Sequence, residues 1–128
     1  MKRGSGAGRF TEILLKHGAV VHSFDFSNAA EANRSNNGAS DRLTLVQADI
    51  RAMPFQQGYY DYVICLGVIQ HTPNSEESIH YLWQMVKPGG YLVIDHYLFK
   101  WQNKPPHLLV VQSFCTENTY WRYLSTSD

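Results

Sequence analysis

The segment Gly4-Ser5-Gly6-Ala7-Gly8-Arg9-Phe10, followed by an apolar run that closes on Asp25, constrains this chain more than any other feature. Glycines at alternate positions let the backbone turn sharply and leave no Cβ between the main chain and whatever approaches it. A glycine-rich turn that opens a helix, with a carboxylate about 20 residues on at the end of the next strand, is the signature of a βαβ unit. Only Met1, Lys2 and Arg3 precede the glycines. The strand that should lead into the turn is therefore cut to three residues.

The rest of the chain continues the alternation. Arg9 to His17 carries Phe10, Ile13 and Leu14 at helical spacing, with Gly18 suited to end the helix. Ala19 to Phe24 reads as a strand ending at Asp25. Ser27 or Asn28 can cap a second helix through about Arg34, and Ser35 to Asp41 reads as a polar loop. Leu43 to Val46 is a strand ending near Asp49, and Tyr60 to Leu66 is a strand of buried type. Asn74 or Ser75 caps a helix from Glu76 to Val86, with Ile79, Leu82, Trp83 and Val86 on one face. Lys87-Pro88-Gly89-Gly90 stops that helix, and Tyr91 to Leu98 is a further strand. Alternating strands and helices give a mostly parallel sheet covered on both faces. Past Lys100 the pattern decays: Pro105-Pro106 breaks the chain, and His107 to Phe114 reads equally as helix or strand.

Bulk properties narrow the classes. At 128 residues this is one domain at most, expected to run over 1–100 with 101–128 as an irregular remainder of the same domain. Lys+Arg and Asp+Glu number 11 each, so no basic excess points to nucleic acid or an anionic membrane surface. Cys65 and Cys115 share no metal or redox spacing and read as two reduced thiols, which with the absence of an apolar run of spanning length suggests a soluble, cytoplasmic protein.

The glycine loop and Asp25 together point to a nucleoside-containing cofactor, because a strand-end carboxylate there can take a ribose diol. The dinucleotide fingerprint requires a glycine where Arg9 stands, which counts against nicotinamide and flavin. Two plainer readings stand beside this one: a tight turn with no ligand, and Asp25 as a carboxylate capping the second helix.

At this point residues 4–98 resemble a class I S-adenosylmethionine-dependent methyltransferase of the small-molecule group. The matching motifs, in order, are the glycine loop; His22-Ser23-Phe24-Asp25-Phe26-Ser27; Gln47-Ala48-Asp49-Ile50 with Met53-Pro54-Phe55; and Tyr60 to His71 with Lys87-Pro88-Gly89-Gly90. The resemblance implies a Rossmann-like three-layer α/β sandwich, S-adenosylmethionine as cofactor and a small-molecule methyl acceptor. It implies that backbone at Gly4, Ser5, Gly6 and Gly8 lines the methionine and ribose part of the cofactor. Asp25 would take both ribose hydroxyls, Phe26 would pack on the adenine, Asp49 would accept from its amino group, and Ile50 would offer its N–H to a ring nitrogen. Leu66 and Gly67 would line the cofactor beyond the fourth strand. Plainer roles are core packing for Phe26 and a turn after a strand for Asp49. His71, at the same strand end as Gln70, is the candidate base if the acceptor must lose a proton.

The chain also departs from the family. An acid normally stands where Lys2 is, and the first strand and the C-terminal strands are largely missing. The expectation is a fragment whose sheet edges at Val21 and Ile64 are exposed and promote self-association. The alternatives are a nucleotide-cofactor-binding oxidoreductase and a degenerate domain that binds a cofactor without turnover. The absence of an Asn-Pro-Pro-Tyr-like motif after the fourth strand lowers a DNA-adenine substrate.

Overall fold

A computed structural model describes residues 1–4, 6, 8–96 and 107–112. Ser5, Ala7, the expected strand end at Leu98, Pro105-Pro106, Cys115 and the tail after Gln112 lie outside the described residues. The chain divides into two compact units, one from Met1 to Pro54 and a second that begins at Phe55.

The first unit holds β1 (Lys2–Arg3), α1 (Arg9–Lys16), β2 (Val21–Asp25), α2 (Ala29–Asn37), β3 (Leu43–Gln47) and a single 3-10 turn at Ile50–Ala52. Its strands are ordered β3-β2-β1 and run parallel, with Lys2 opposite Ser23 and Val21 opposite Leu43. Short as it is, β1 pairs where the sequence leaves almost no strand. The Val21 amide donates to the Arg42 carbonyl at 2.8 Å, so this residue is not the open edge expected from the sequence. Val21, Phe24 and Ile50 are buried.

Helix α1 does not bury the apolar residues that its spacing suggests. Phe10 and Ile13 are 48% and 44% exposed, while Thr11 is fully buried. The reason is a polar seam between α1 and α2. Asn33, fully buried, donates from Nδ2 to Thr11 Oγ1 at 3.0 Å. Asn37 lies one turn on and donates from Nδ2 to Asn33 Oδ1 at 2.8 Å and to the Gly8 carbonyl at 3.1 Å. Helix α2 runs three residues past the Arg34 expected from the sequence, and that extra turn is what brings Asn37 to Gly8. Gly8 sits at φ 90°, and a Cβ there would fall 2.2 Å from Asn37 Nδ2 and 2.6 Å from Asn33 Oδ1. Both the backbone angle and the space demand glycine.

The second unit holds β4 (Tyr60–Cys65), a 3-10 turn at Ile69–His71, α3 (Ser75–Met85), β5 (Val86–His96) and β6 (His107–Gln112). Their order is β4-β5-β6, with β4 parallel to β5 and β6 antiparallel to it. The segment left open between helix and strand is thus a strand, with Leu109 opposite Ile94. Asn74 caps α3 by accepting from the Glu77 amide at 3.1 Å. Leu82 and Met85 of α3 are buried together with Val63, Cys65, Leu92 and Ile94 of the strands, whereas Ile79 and Trp83 are half-buried. Val86 lies beyond the helix and already pairs with Tyr60. The Lys87-Pro88-Gly89-Gly90 segment is structural, as expected. It makes an irregularity in β5 between the Val86–Tyr60 and Tyr91–Tyr62 pairs. A Cβ on Gly90 would meet the Tyr60 and Asp61 carbonyl oxygens at 2.9 Å, so only glycine allows this approach.

Gly8→Ala should lower the unfolding free energy by about 3 kcal/mol, combining left-handed backbone strain with disruption of a buried hydrogen-bonded group. Denaturant unfolding checks this, and an unchanged midpoint would mean that the Asn33–Asn37 seam does not constrain the turn.

Candidate functional site

The ends of the parallel strands carry the sequence-predicted residues. In the first unit the turn after β1 brings Gly4, Gly6 and Gly8 through positive φ before α1 begins. Lys2 is 3% exposed, its ammonium donates to the Gly4 carbonyl, and it lies 5.8 Å from the centroid of the Phe10 ring. An ammonium only donates, so this residue braces the turn and cannot replace the acid that the family places there.

Asp25 closes β2, and its carboxylate is oriented by the protein itself. Oδ1 accepts from the Ser27 amide at 2.9 Å and from Ser27 Oγ at 2.8 Å. The Gly6 amide points at Oδ2 from 3.5 Å. The side chain turns back toward the glycine loop and fixes its own turn, so it is not a cap of α2. The oxygen of Ser27 reaches the Ala29 amide instead, at 3.3 Å. Phe26 follows at 71% exposure, which removes the core reading for this ring.

Asp49 sits differently. It precedes the 3-10 turn at Ile50–Ala52, and Arg51 occupies both of its oxygens. Oδ1 accepts from the Arg51 amide at 2.9 Å and from Nε at 3.1 Å, and Oδ2 from Nη2 at 2.7 Å. The hydrogen bonds from Arg51 pull the Asp49 carboxyl down to about 2. The turn reading of Asp49 therefore holds in this conformation, and a ligand amino group would have to displace the guanidinium. Ile50 buries its side chain and anchors the turn.

In the second unit β4 ends at Cys65, a buried free thiol. Leu66 is half-buried, and Gly67 is exposed at φ 69°. The chain then enters the turn at Ile69–His71, where Ile69 is fully buried and His71 is exposed. Gln70 Oε1 is buried and has no hydrogen-bond partner among the described residues.

Sequence reasoning missed three supports of these sites. Asn33 and Asn37 stand four apart, a spacing that faces one side of a helix, but poor helix formers near its end hid the last turn. Arg51, two residues from Asp49, was not read as its partner. Asp95 donates nothing but accepts the Gly67 amide at 2.5 Å, and it closes the apolar run Leu92-Val93-Ile94 just as Asp25 closes its own strand.

The family described as a methyltransferase domain matches residues 1–94. The ubiquinone biosynthesis O-methyltransferase of Azoarcus sp. (strain BH72) is 32% identical over 93 residues, covering 68% of this chain and 39% of that protein. The chain thus spans about two-fifths of the length of that curated relative. The N-methyltransferase NodS from Bradyrhizobium japonicum WM9, solved with S-adenosyl-L-homocysteine, superimposes with a TM-score of 0.66 at 21% identity, over 73% of this chain and 50% of NodS. The [4+2]-cyclase SpnF superimposes with a TM-score of 0.69 at 16% identity, over 81% of this chain and 40% of SpnF. At these identities the two structures show the fold alone, which is the Rossmann-like α/β fold. Motifs, fold and family match converge: the chain belongs to the class I S-adenosylmethionine-dependent methyltransferase family.

Proposed function

We propose that the first unit binds S-adenosylmethionine and that the protein serves methyl transfer to a small-molecule acceptor. One observation carries this reading: Asp25 is held with its carboxylate turned to the glycine loop by Ser27 and Gly6. A preoriented carboxylate can accept from two adjacent hydroxyls without a further ordering cost, and such charge-assisted bonds are strong for their size. The donor set suits the group. Backbone at Gly4, Gly6 and Gly8 faces the methionine and ribose, Asp25 takes the ribose diol, and exposed Phe26 offers a face to the adenine. The Ile50 N–H serves a ring nitrogen, and Asp49 accepts from the amino group once the exposed Arg51 side chain, 67% accessible, swings away. An exposed ion pair of this kind holds weakly, so the exchange is feasible.

When bound, the cofactor supplies an electrophilic methyl group on a sulfonium. The residues around it position the reactants and exclude water, which is most of the work in an in-line displacement. Leu66 and Gly67 line the cofactor side of the loop after β4, and His71 receives a proton where the acceptor must lose one. The reduced thiol of Cys65 fits a cytoplasmic home, and among the described residues no helix is long and apolar enough to cross a membrane. Within the first unit β3 is bonded on one side only, and self-association would run through that edge.

Calorimetry of the full chain with S-adenosylhomocysteine and with NAD tests the cofactor. S-adenosylhomocysteine should bind and NAD should not; the reverse order would mean an oxidoreductase. Asp25→Ala should weaken S-adenosylhomocysteine by about 2–3 kcal/mol, roughly 30- to 150-fold, with Asp25→Glu intermediate. An alanine variant with an unchanged Kd would remove the ribose assignment.

Arg51→Ala should release Asp49. Its carboxyl pKa is lowered in the fold, so the Arg51 contact is complete above the ordinary value of 3.8 and is lost as pH falls through about 2. Carboxyl-carbon NMR titration of the variant should find Asp49 raised from about 2 toward the ordinary value but still below it, because the amide of residue 51 keeps its bond to Oδ1, and S-adenosylhomocysteine affinity should not fall. An Asp49 that still titrates near 2 would show that something other than the Arg51 side chain holds it.

A further inference from the structure

The loop after β4 turns at Gly67, and Asp95 at the end of β5 holds that turn. The Gly67 amide donates to Asp95 Oδ1 at 2.5 Å. Cys65 lies opposite Ile94 in the parallel β4–β5 pair, so Gly67, two residues past the end of β4, and Asp95, the penultimate residue of β5, share the carboxyl-end rim of the two strands. In parallel α/β sheets that rim is where ligands bind. Asp95 is half-buried, and among the described residues it makes no ion pair and its Oδ2 accepts no hydrogen bond. Gln70 belongs to the turn at Ile69–His71, which packs against β5. Its buried Oε1 is a second acceptor with no partner among the described residues. One buried acceptor without a protein donor, Gln70 Oε1, and one carboxylate oxygen open at the strand end against which that loop packs, Asp95 Oδ2, offer a ligand two acceptors on the same rim.

We propose that Asp95 recognises the methyl acceptor through an O–H or N–H group. Oδ1 is committed to the Gly67 amide, which aims Oδ2 at the ligand, and Asp95 is thus a specificity-determining residue. Naming the ligand as the methyl acceptor rests on the methyltransferase reading; the donor preference of the rim does not. A molecule whose hydroxyl or amine groups are all alkylated has nothing to offer this carboxylate and leaves it desolvated and unpaired.

The test uses the full chain labelled with nitrogen-15 and two probes of the same ring shape, catechol and 1,2-dimethoxybenzene. Catechol should shift the Gly67 and Gln70 amide resonances saturably, and 1,2-dimethoxybenzene should bind at least tenfold more weakly. Asp95→Asn keeps an oxygen for the Gly67 amide and replaces the other with a donor. It should lose catechol affinity at least tenfold while Gly67 amide exchange stays slow, which a purely structural role would not produce. Equal affinities for the two probes, no Gly67 shift with catechol, or an Asp95→Asn variant that binds catechol like the wild type would each overturn the proposal. S-adenosylhomocysteine binding is measured on the same samples. Its absence beside an intact catechol preference overturns the cofactor reading and supports the Asp95 site.

Discussion

The contact between Gly8 and the end of α2 is the constraint on which the first unit depends. Two amide side chains, Asn33 and Asn37, come so close to the backbone at Gly8 that no side chain fits between them. The seam is polar and buried, so each amide must find its partner or leave an uncompensated group. It finds them in Thr11, in the neighbouring amide and in the Gly8 carbonyl. The start of α1 and the glycine turn are thereby fixed relative to α2 by directional bonds, where an apolar contact would tolerate sliding. That is why the polar Thr11 is buried while Phe10 and Ile13 face outward.

The same residue type does three different jobs at three strand ends. Asp25 is oriented by donors that leave it facing the glycine turn. Asp49 is neutralised by an arginine two residues away. Asp95 holds the loop after β4 by one oxygen. Identity alone does not distinguish them; the donors around each do. The carboxylate suited to a diol is the one whose partners are short, neutral groups. The one closed by a guanidinium must first be released. Lys2 makes the same point in reverse, since a cation placed where an acid is expected turns inward and braces the turn.

Much of this was legible in the sequence. Apolar runs ended by turn residues located β2 to β5, and the spacing of glycines to Asp25 located the loop. Where α2 stops is not legible, because Asn36, Asn37 and Gly38 read as loop by propensity, and tertiary bonds from Asn37 override that preference. Nor is the buried face of α1, because apolar spacing outweighs a single threonine. His107–Gln112 stays open between helix and strand in the sequence, since an isolated apolar run of that length has no period of its own; pairing with β5 decides it. Asp95 was legible by the same rule that found Asp25, an acid closing an apolar strand.

The central claim is that Asp25 is preoriented for a ribose diol at the glycine turn. A crystal structure of the protein with S-adenosylhomocysteine tests it most directly. The account predicts both ribose hydroxyls within hydrogen-bonding distance, about 2.7 Å, of the Asp25 carboxylate. Oδ1 should keep its bonds to Ser27. A ligand whose ribose lies away from Asp25, or an Asp25 that must leave Ser27 to reach it, would contradict the account.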